Sequence, residues 1–349
     1  MNSREFLLEL VKTKSYSKEE NLAAKLCLNR MRELGYKYCE IDEVGNVVGA
    51  NYDYRKDPHA DILLYSHLDT VLGFWQVQEI DNGVWGRGAV DAKGSLASYI
   101  EAGTSAPKNL KVVVVGVVEE EISSSKGTCH LITYLKPKCA VNGEPSNTSG
   151  ITIAYKGRAL IKGISRGRES HAGSNADNPS DAFVEYYNRL REMFPKSDKF
   201  ESVTINLTHI KYGNLENLNS VCEQLEFYID IRIPPNIDFD KTIDQIKNLA
   251  PERVAIEILE ANKGSEISQN DKLVRKMVKA IRSVGLEPRY LKKSGSADMN
   301  LTNNIGIPTL AYGPGDSKLD HTEKEHLKYA DYEKSIDVIK ALLREVEHG

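Results

Sequence analysis

Residues Asp61–Gly94 read DILLYSHLDTVLGFWQVQEIDNGVWGRGAVDAKG, and the way this stretch opens and closes decides the fold. Ile62–Tyr65 is a short apolar run of the kind that makes a buried strand, and it empties into His67-Leu68-Asp69. Side chains alternate along a strand, so a His and an Asp two positions apart point the same way. The stretch closes with Asp91 in a Gly-rich turn ahead of a predicted helix over Gly94–Gly103. One imidazole and two carboxylates near one sheet edge make the start of a metal site.

Outward from there, strands alternate with helices. Ser17-Lys18-Glu19-Glu20 has the spacing of a capping box and predicts a helix with Leu22, Ala23, Leu26 and Leu34 on one stripe, closed by Gly35. Strands are predicted over Tyr38–Val48, Val77–Val84, Lys111–Val118 and Cys139–Asn142, and a helix over Lys126–Leu135. That order argues for an α/β layered sheet with its active groups at strand ends. Near Tyr155 the pattern changes to βαββαβ, the order of a ferredoxin-like unit. Its strands are predicted at Arg158–Ser165, Ser202–Lys211, Val221–Ile233 and Arg253–Leu259, and its helices at Pro179–Met193 and Phe239–Leu249. The α/β pattern returns from Gln269, with a strand at Thr309–Tyr312 and a last helix over about His326–Val346. The expectation is a discontinuous domain of residues 1–155 and 266–349, with a smaller domain inserted at 156–265.

Composition narrows the class. A chain of 349 residues, 40% hydrophobic and 28% charged, is that of a soluble globular protein. A net charge of −4 gives no reason to expect nucleic acid or membrane as the main partner. The longest apolar run, Val112–Val118, is a strand and far too short for a membrane span. No signal peptide is expected, and five cysteines without a CxxC read as reduced thiols in a cytoplasmic protein.

Further chemistry collects at other predicted strand ends. Glu119-Glu120-Glu121 follow the valine strand, Glu144 sits in Asn-Gly-Glu-Pro-Ser, and His321 lies in the loop after the last strand. Two histidines and three carboxylates at strand ends are what two adjacent divalent ions need when one carboxylate bridges them.

These stretches, YSHLDTV, GRGAVDAKG, EEEISSSKG, NGEPS and YGPGDSKLDHTEKEHL, resemble the ordered motifs of the M20 di-zinc amidohydrolases, which include acetylornithine deacetylase and succinyl-diaminopimelate desuccinylase. The resemblance implies an aminopeptidase-like catalytic domain carrying an inserted lid and dimerisation domain. It implies His67, Asp91 and Glu144 as ligands of one metal, with Asp91 bridging to a second held by Glu121 and His321. Glu120 matches the general base, and Asp69 the carboxylate that orients His67 through its other ring nitrogen. His171, in Glu-Ser-His-Ala-Gly, matches a lid histidine that reaches a neighbouring active site across a homodimer and donates to the oxyanion. Asn219 and Arg232 match lid residues that hold polar groups of the substrate; Cys222 stands where the family often has Pro. Zn²⁺ is the implied ion, with Co²⁺ an alternative.

The segments 144–158, 292–300 and 312–317 look closest to the subgroup that releases lysine or ornithine from a small acidic amino-group carrier protein. There the bond cut joins the α-amino group of the amino acid to the γ-carboxyl of the carrier's C-terminal Glu. Alternatives are another deacylase or dipeptidase of the family, and a non-catalytic zinc-binding scaffold. Lys156, Arg158, Lys162, Arg166 and Arg168 are all even-numbered, so one continuous strand would gather them on one basic face suited to an acidic carrier.

Overall fold

The computed structural model describes residues 1–214 and 216–347, and the chain divides into two compact units. The larger comprises Met1–Ala154, Glu266–Lys292 and Ala297–Gly349; the smaller comprises Tyr155–Ser265 and Lys293–Ser296.

In the larger unit four strands lie side by side and parallel, in the order Val112–Val117, Ile62–His67, Ala140–Gly143, Thr309–Tyr312. Every residue in them is buried, because helices cover both faces of a parallel sheet. The helix Lys93–Gly103 packs on one face, with Ser3–Lys12 and Tyr329–Glu347 against it. On the other face Leu131 and Leu135 close over Tyr65, Val113 and Val115. Each buried valine contributes on the order of 1.5 kcal/mol. Because the strands are parallel, their carboxyl ends share one edge. His67 ends one strand, Glu119–Glu121 follow another, Glu144 follows a third, and the fourth leads towards His321.

Three local expectations differ from the structure. Tyr38–Val48 is a hairpin, Tyr38–Ile41 against Val47–Ala50, because the Asp42 side chain accepts from the amides of Val44, Gly45 and Asn46 and turns the chain. Val77–Val84 is likewise split, at Asp81-Asn82, into Gln78–Ile80 and Gly83–Trp85. The helix after Glu20 spans Asn21–Glu33 with no side-chain cap. Its buried stripe is Ala23, Ala24, Cys27 and Met31, while Leu22 is exposed. The Ser17 hydroxyl and the Glu20 carboxylate are engaged elsewhere, by groups described below.

In the smaller unit four antiparallel strands run in the order Thr204–Tyr212, Gln224–Ile233, Gly157–Arg166, Val254–Asn262. With the helices Pro179–Met193 and Phe239–Asn248 this is βαββαβ, and Phe183, Tyr186, Phe227 and Ile246 form its core. Residues of Gly157–Arg166 alternate between buried and half-buried. The strand gathers Arg158, Lys162 and Arg166 on its less buried face, with Lys156 and Arg168 outside the strand, but that face is not uniformly basic. Arg158 donates to Asp230 (2.7 Å) and Glu260 (3.0 Å), and Lys162 pairs with Glu226 (3.1 Å). The alternation that gathers cations on one strand gathers acids from both neighbours onto the same face, so the face is a chequer of paired charges.

Candidate metal centre

Two groups of side chains at the carboxyl edge of the parallel strands could each hold a cation: His67, Asp91 and Glu144, and Asp91, Glu121 and His321. Within each group the candidate ligand atoms lie within 4.8 Å of one another. Asp91 belongs to both. Its Oδ1 lies 3.1 Å from His67 Nε2 and its Oδ2 lies 3.1 Å from His321 Nε2. His321 Nε2 is 3.3 Å from Glu121 Oε2, and His67 Nε2 is 4.0 Å from Glu144 Oε1. His67, Asp91 and Glu144 are buried; His321 is half exposed on a left-handed backbone with φ 61°.

The supporting contacts show how each turn is held. His67 Nδ1 donates to the backbone carbonyl of Asp69 at 2.8 Å, which leaves Nε2 unprotonated and facing Asp91 when the ring is neutral. The Asp69 carboxylate does not take that bond, since its Oδ1 is 3.7 Å from Nδ1. It accepts instead from the Glu120 and Glu121 amides, both at 3.0 Å, and from Ser17 Oγ at 2.7 Å. The role expected of Asp69 is thus divided: its backbone orients His67, and its carboxylate orients the glutamate turn. Glu20, also buried, accepts from the amides of Lys18 and Glu119. Glu119 is itself left-handed, φ 58°, which turns the chain sharply off the valine strand.

Sequence reading missed Ser17, Glu20, Asp298 and Glu325. The first two carried a signal, but it matched a helix cap equally well. Asp298, in Ser-Ala-Asp-Met, is buried and takes a hydrogen bond from Thr128 Oγ1. Glu325 lies inside the quoted Asp-His-Thr-Glu-Lys-Glu run and accepts from the Val90 and Asp91 amides.

The electrostatics of the centre favour a cation. Burial raises the Glu120 pKa well above the carboxylate range; His67 opposes this, and Glu144, Asp298 and Glu121 reinforce it. Burial likewise raises Asp298 to about 6 and raises Glu121, to which Asp91 adds. Burial works against charging His67, but the Asp91 hydrogen bond and the charges of Glu120, Asp91 and Glu144 outweigh it and hold its pKa well up. The Asp91 and Glu121 contacts raise His321 to about 10. Glu121 Oε1 is buried with no hydrogen-bond partner among the described residues. Crowded carboxylates, two imidazoles and an orphaned oxygen are the donor set a pair of divalent ions satisfies.

A pH dependence follows for cation-free protein. His321 rises from 6.5 unfolded to about 10 folded, so its contribution is complete below pH 6.5 and is lost as pH climbs through about 10. His67 and Glu120 are also raised and act in the same direction, whereas Asp298, raised only to about 6, loses its contribution below this range. Chelator-treated protein is therefore expected to melt progressively lower between pH 6.5 and 9.5. Saturation with a divalent cation should flatten that slope, because ligand imidazoles are neutral. A melting temperature independent of pH in the chelated protein would contradict this account.

In the smaller unit, Ser170–His171 pairs with Ser220–Val221, and Ala172 N donates to Asn219 O at 2.8 Å. The structure thus brings His171 and Asn219 together from segments far apart in sequence. Both are exposed, and His171 Nδ1 accepts from Gly173 N at 3.1 Å. Arg232 Nε donates to Asp230 Oδ1 at 2.6 Å, the strand ion pair that such a residue ordinarily makes.

Residues 63–345 match the sequence model of Peptidase family M20/M25/M40. A Pyrococcus abyssi protein provisionally named a LysW-lysine/LysW-ornithine hydrolase is 33% identical, over 98% of this chain and 93% of that protein. The LysW-lysine hydrolase of Deinococcus radiodurans is 31% identical, over 99% and 98%. Among solved structures, aminopeptidase PepT of Bacillus cereus superposes with a TM-score of 0.83 at 20% identity, covering 99% of each chain.

Proposed function

The chain belongs to peptidase family M20/M25/M40, and from that premise we propose that it is a two-metal amidohydrolase releasing lysine, ornithine or both from a small amino-group carrier protein. The bond cut joins the α-amino group of the amino acid to the γ-carboxyl of the carrier's C-terminal Glu. The observation that carries the hydrolase is Asp91, whose two oxygens face two histidines at 3.1 Å each. The carrier as substrate is supported by the relatives' names, over nearly the full length of each chain.

His67, Asp91 and Glu144 would hold one cation, and Asp91, Glu121 and His321 the other. Bound there, two divalent cations would supply Lewis acidity to the scissile carbonyl and make an attacking water more acidic. Zn²⁺ is the cation we assign, with Co²⁺ as a substitute. Glu120 takes a proton from the water as the new C–O bond forms, and returns it to the departing nitrogen as the C–N bond breaks. Asp69 holds the amides of Glu120 and Glu121 and so aims the base. We assign Tyr155–Ser265 as a lid and dimerisation unit, with His171 donating to the oxyanion and Asn219 and Arg232 holding substrate polar groups. A homodimer in the cytoplasm is the working assembly. No helix among the described residues is long and apolar enough to cross a membrane.

Metal analysis with a substrate panel tests the reading. The expected result is two zinc ions per chain and a kcat/KM for the lysyl-carrier conjugate roughly 10²-fold above that for acetyl-lysine and acetylornithine, about 2.7 kcal/mol. Faster turnover of the acetyl compounds would remove the carrier from the assignment. Two bound ions with no turnover of any amide would leave a scaffold.

A further inference from the structure

Glu325 is fully buried, four residues beyond His321. Its Oε1 accepts from the Val90 and Asp91 amides, both at 3.0 Å, and its Oε2 accepts from Arg87 Nη1 at 2.9 Å. The Glu325 carbonyl accepts from Gly86 N at 3.1 Å. Arg87, itself buried, donates to Gly73 O at 3.1 Å and lies over the Trp75 ring. One buried pair therefore ties together the segments 73–75, 86–91 and 321–325.

Stability alone is a weak reason for such a pair. Taking two charges out of water carries a large desolvation penalty, and packed apolar side chains in their place are often as stable. What an apolar pair cannot do is accept two consecutive amides of the turn that ends in Asp91. The two cation groups also differ in how they are held. His67 and Glu144 stand at the ends of buried parallel strands. His321 is on a half-exposed loop, and Asp91 on a turn whose amide is held by Glu325.

We propose that Glu325 is a positioning residue. It fixes the Asp91 backbone so that one carboxylate faces both histidines, and it ties that turn to the His321 loop. The proposal rests on the two-cation reading above. Its consequence is selective: without the Glu325 acceptor the Asp91–Glu121–His321 position weakens, while the His67–Asp91–Glu144 position keeps its strand-borne ligands.

Two double variants with equal charge balance isolate the effect. In Arg87→Met/Glu325→Gln the side-chain oxygen still accepts from both amides. In Arg87→Met/Glu325→Leu nothing does, and both variants remove the buried pair whole. Chelator-stripped wild type and variants are titrated with Zn²⁺ by calorimetry, with circular dichroism as the check on folding. The glutamine variant is expected to bind both equivalents within about threefold of wild type. The leucine variant is expected to keep the first equivalent and bind the second roughly 10- to 100-fold more weakly. Equal second-equivalent affinity in the two variants, whether retained or lost, overturns the proposal. If the leucine variant does not fold, Glu325→Gln alone replaces it, because its amide cannot serve Arg87 and the turn together. The second equivalent should then weaken and recover on adding Arg87→Met, and failure to recover overturns the proposal. Wild type that takes up fewer than two equivalents overturns the two-cation reading itself, and is distinguished by appearing before any substitution.

Discussion

Glu120→Gln is expected to lower kcat by about 10³- to 10⁴-fold, some 4–5.5 kcal/mol, while both cations stay bound. The substitution keeps the shape of the side chain and removes its ability to take a proton. Glu120 is not in either cation group, so the ions should not be disturbed. It is also a carboxylate kept from water beside Glu144, Asp298 and Glu121, which raise its pKa. Neutralising it relieves that repulsion, so the cation-free variant should melt no lower than wild type, and slightly higher above neutral pH. Steady-state kinetics, metal analysis and thermal melting on one preparation check all three statements. Loss of a bound ion would make Glu120 a ligand, and a loss of kcat under tenfold would move the base elsewhere.

Asp91→Asn should be equally severe for a different reason. The amide offers one oxygen, and turns an NH₂ towards whichever histidine that oxygen does not face. Since Oδ1 and Oδ2 now serve His67 and His321 separately, bound cation should fall from two per chain to one or fewer. With it kcat/KM should fall roughly 10⁴-fold or more, at least about 5.5 kcal/mol. A signature in cation-free protein separates this from simple misfolding. The His67 pKa depends on its Asp91 hydrogen bond, so an NMR titration of the variant should place it clearly lower. Retention of two ions at wild-type affinity would show that Asp91 is not shared.

Asp69 marks the boundary between what local sequence reveals and what it does not. Its two-residue spacing from His67 suggested that the two side chains would meet, because strand side chains alternate. The strand ends at His67, however, and alternation ends with it. Beyond that point the Asp69 carboxylate turns to two amides more than fifty residues along the chain. The Ser17 and Glu20 polar groups were drawn away from a helix cap in the same way. Local hydrogen-bonding propensities lose to tertiary ones wherever a buried amide would otherwise lack a partner.

The amino-acid sequence by itself determined the alternating α/β order, the gathering of His67, Glu121 and Glu144 at the ends of parallel strands, and the family. Apolar runs, turn residues and spacing are local properties, and a parallel sheet gathers strand ends at one edge whatever the loops do. Only the tertiary structure decided which oxygen of Asp91 faces which histidine, and that the carboxylates of Asp69, Glu20 and Glu325 accept from backbone amides. It also decided that Arg158 and Lys162 are paired with acids of neighbouring strands. Those outcomes depend on which distant segments pack within about 3 Å of one another, and hydrogen bonds and ion pairs are decided at that range.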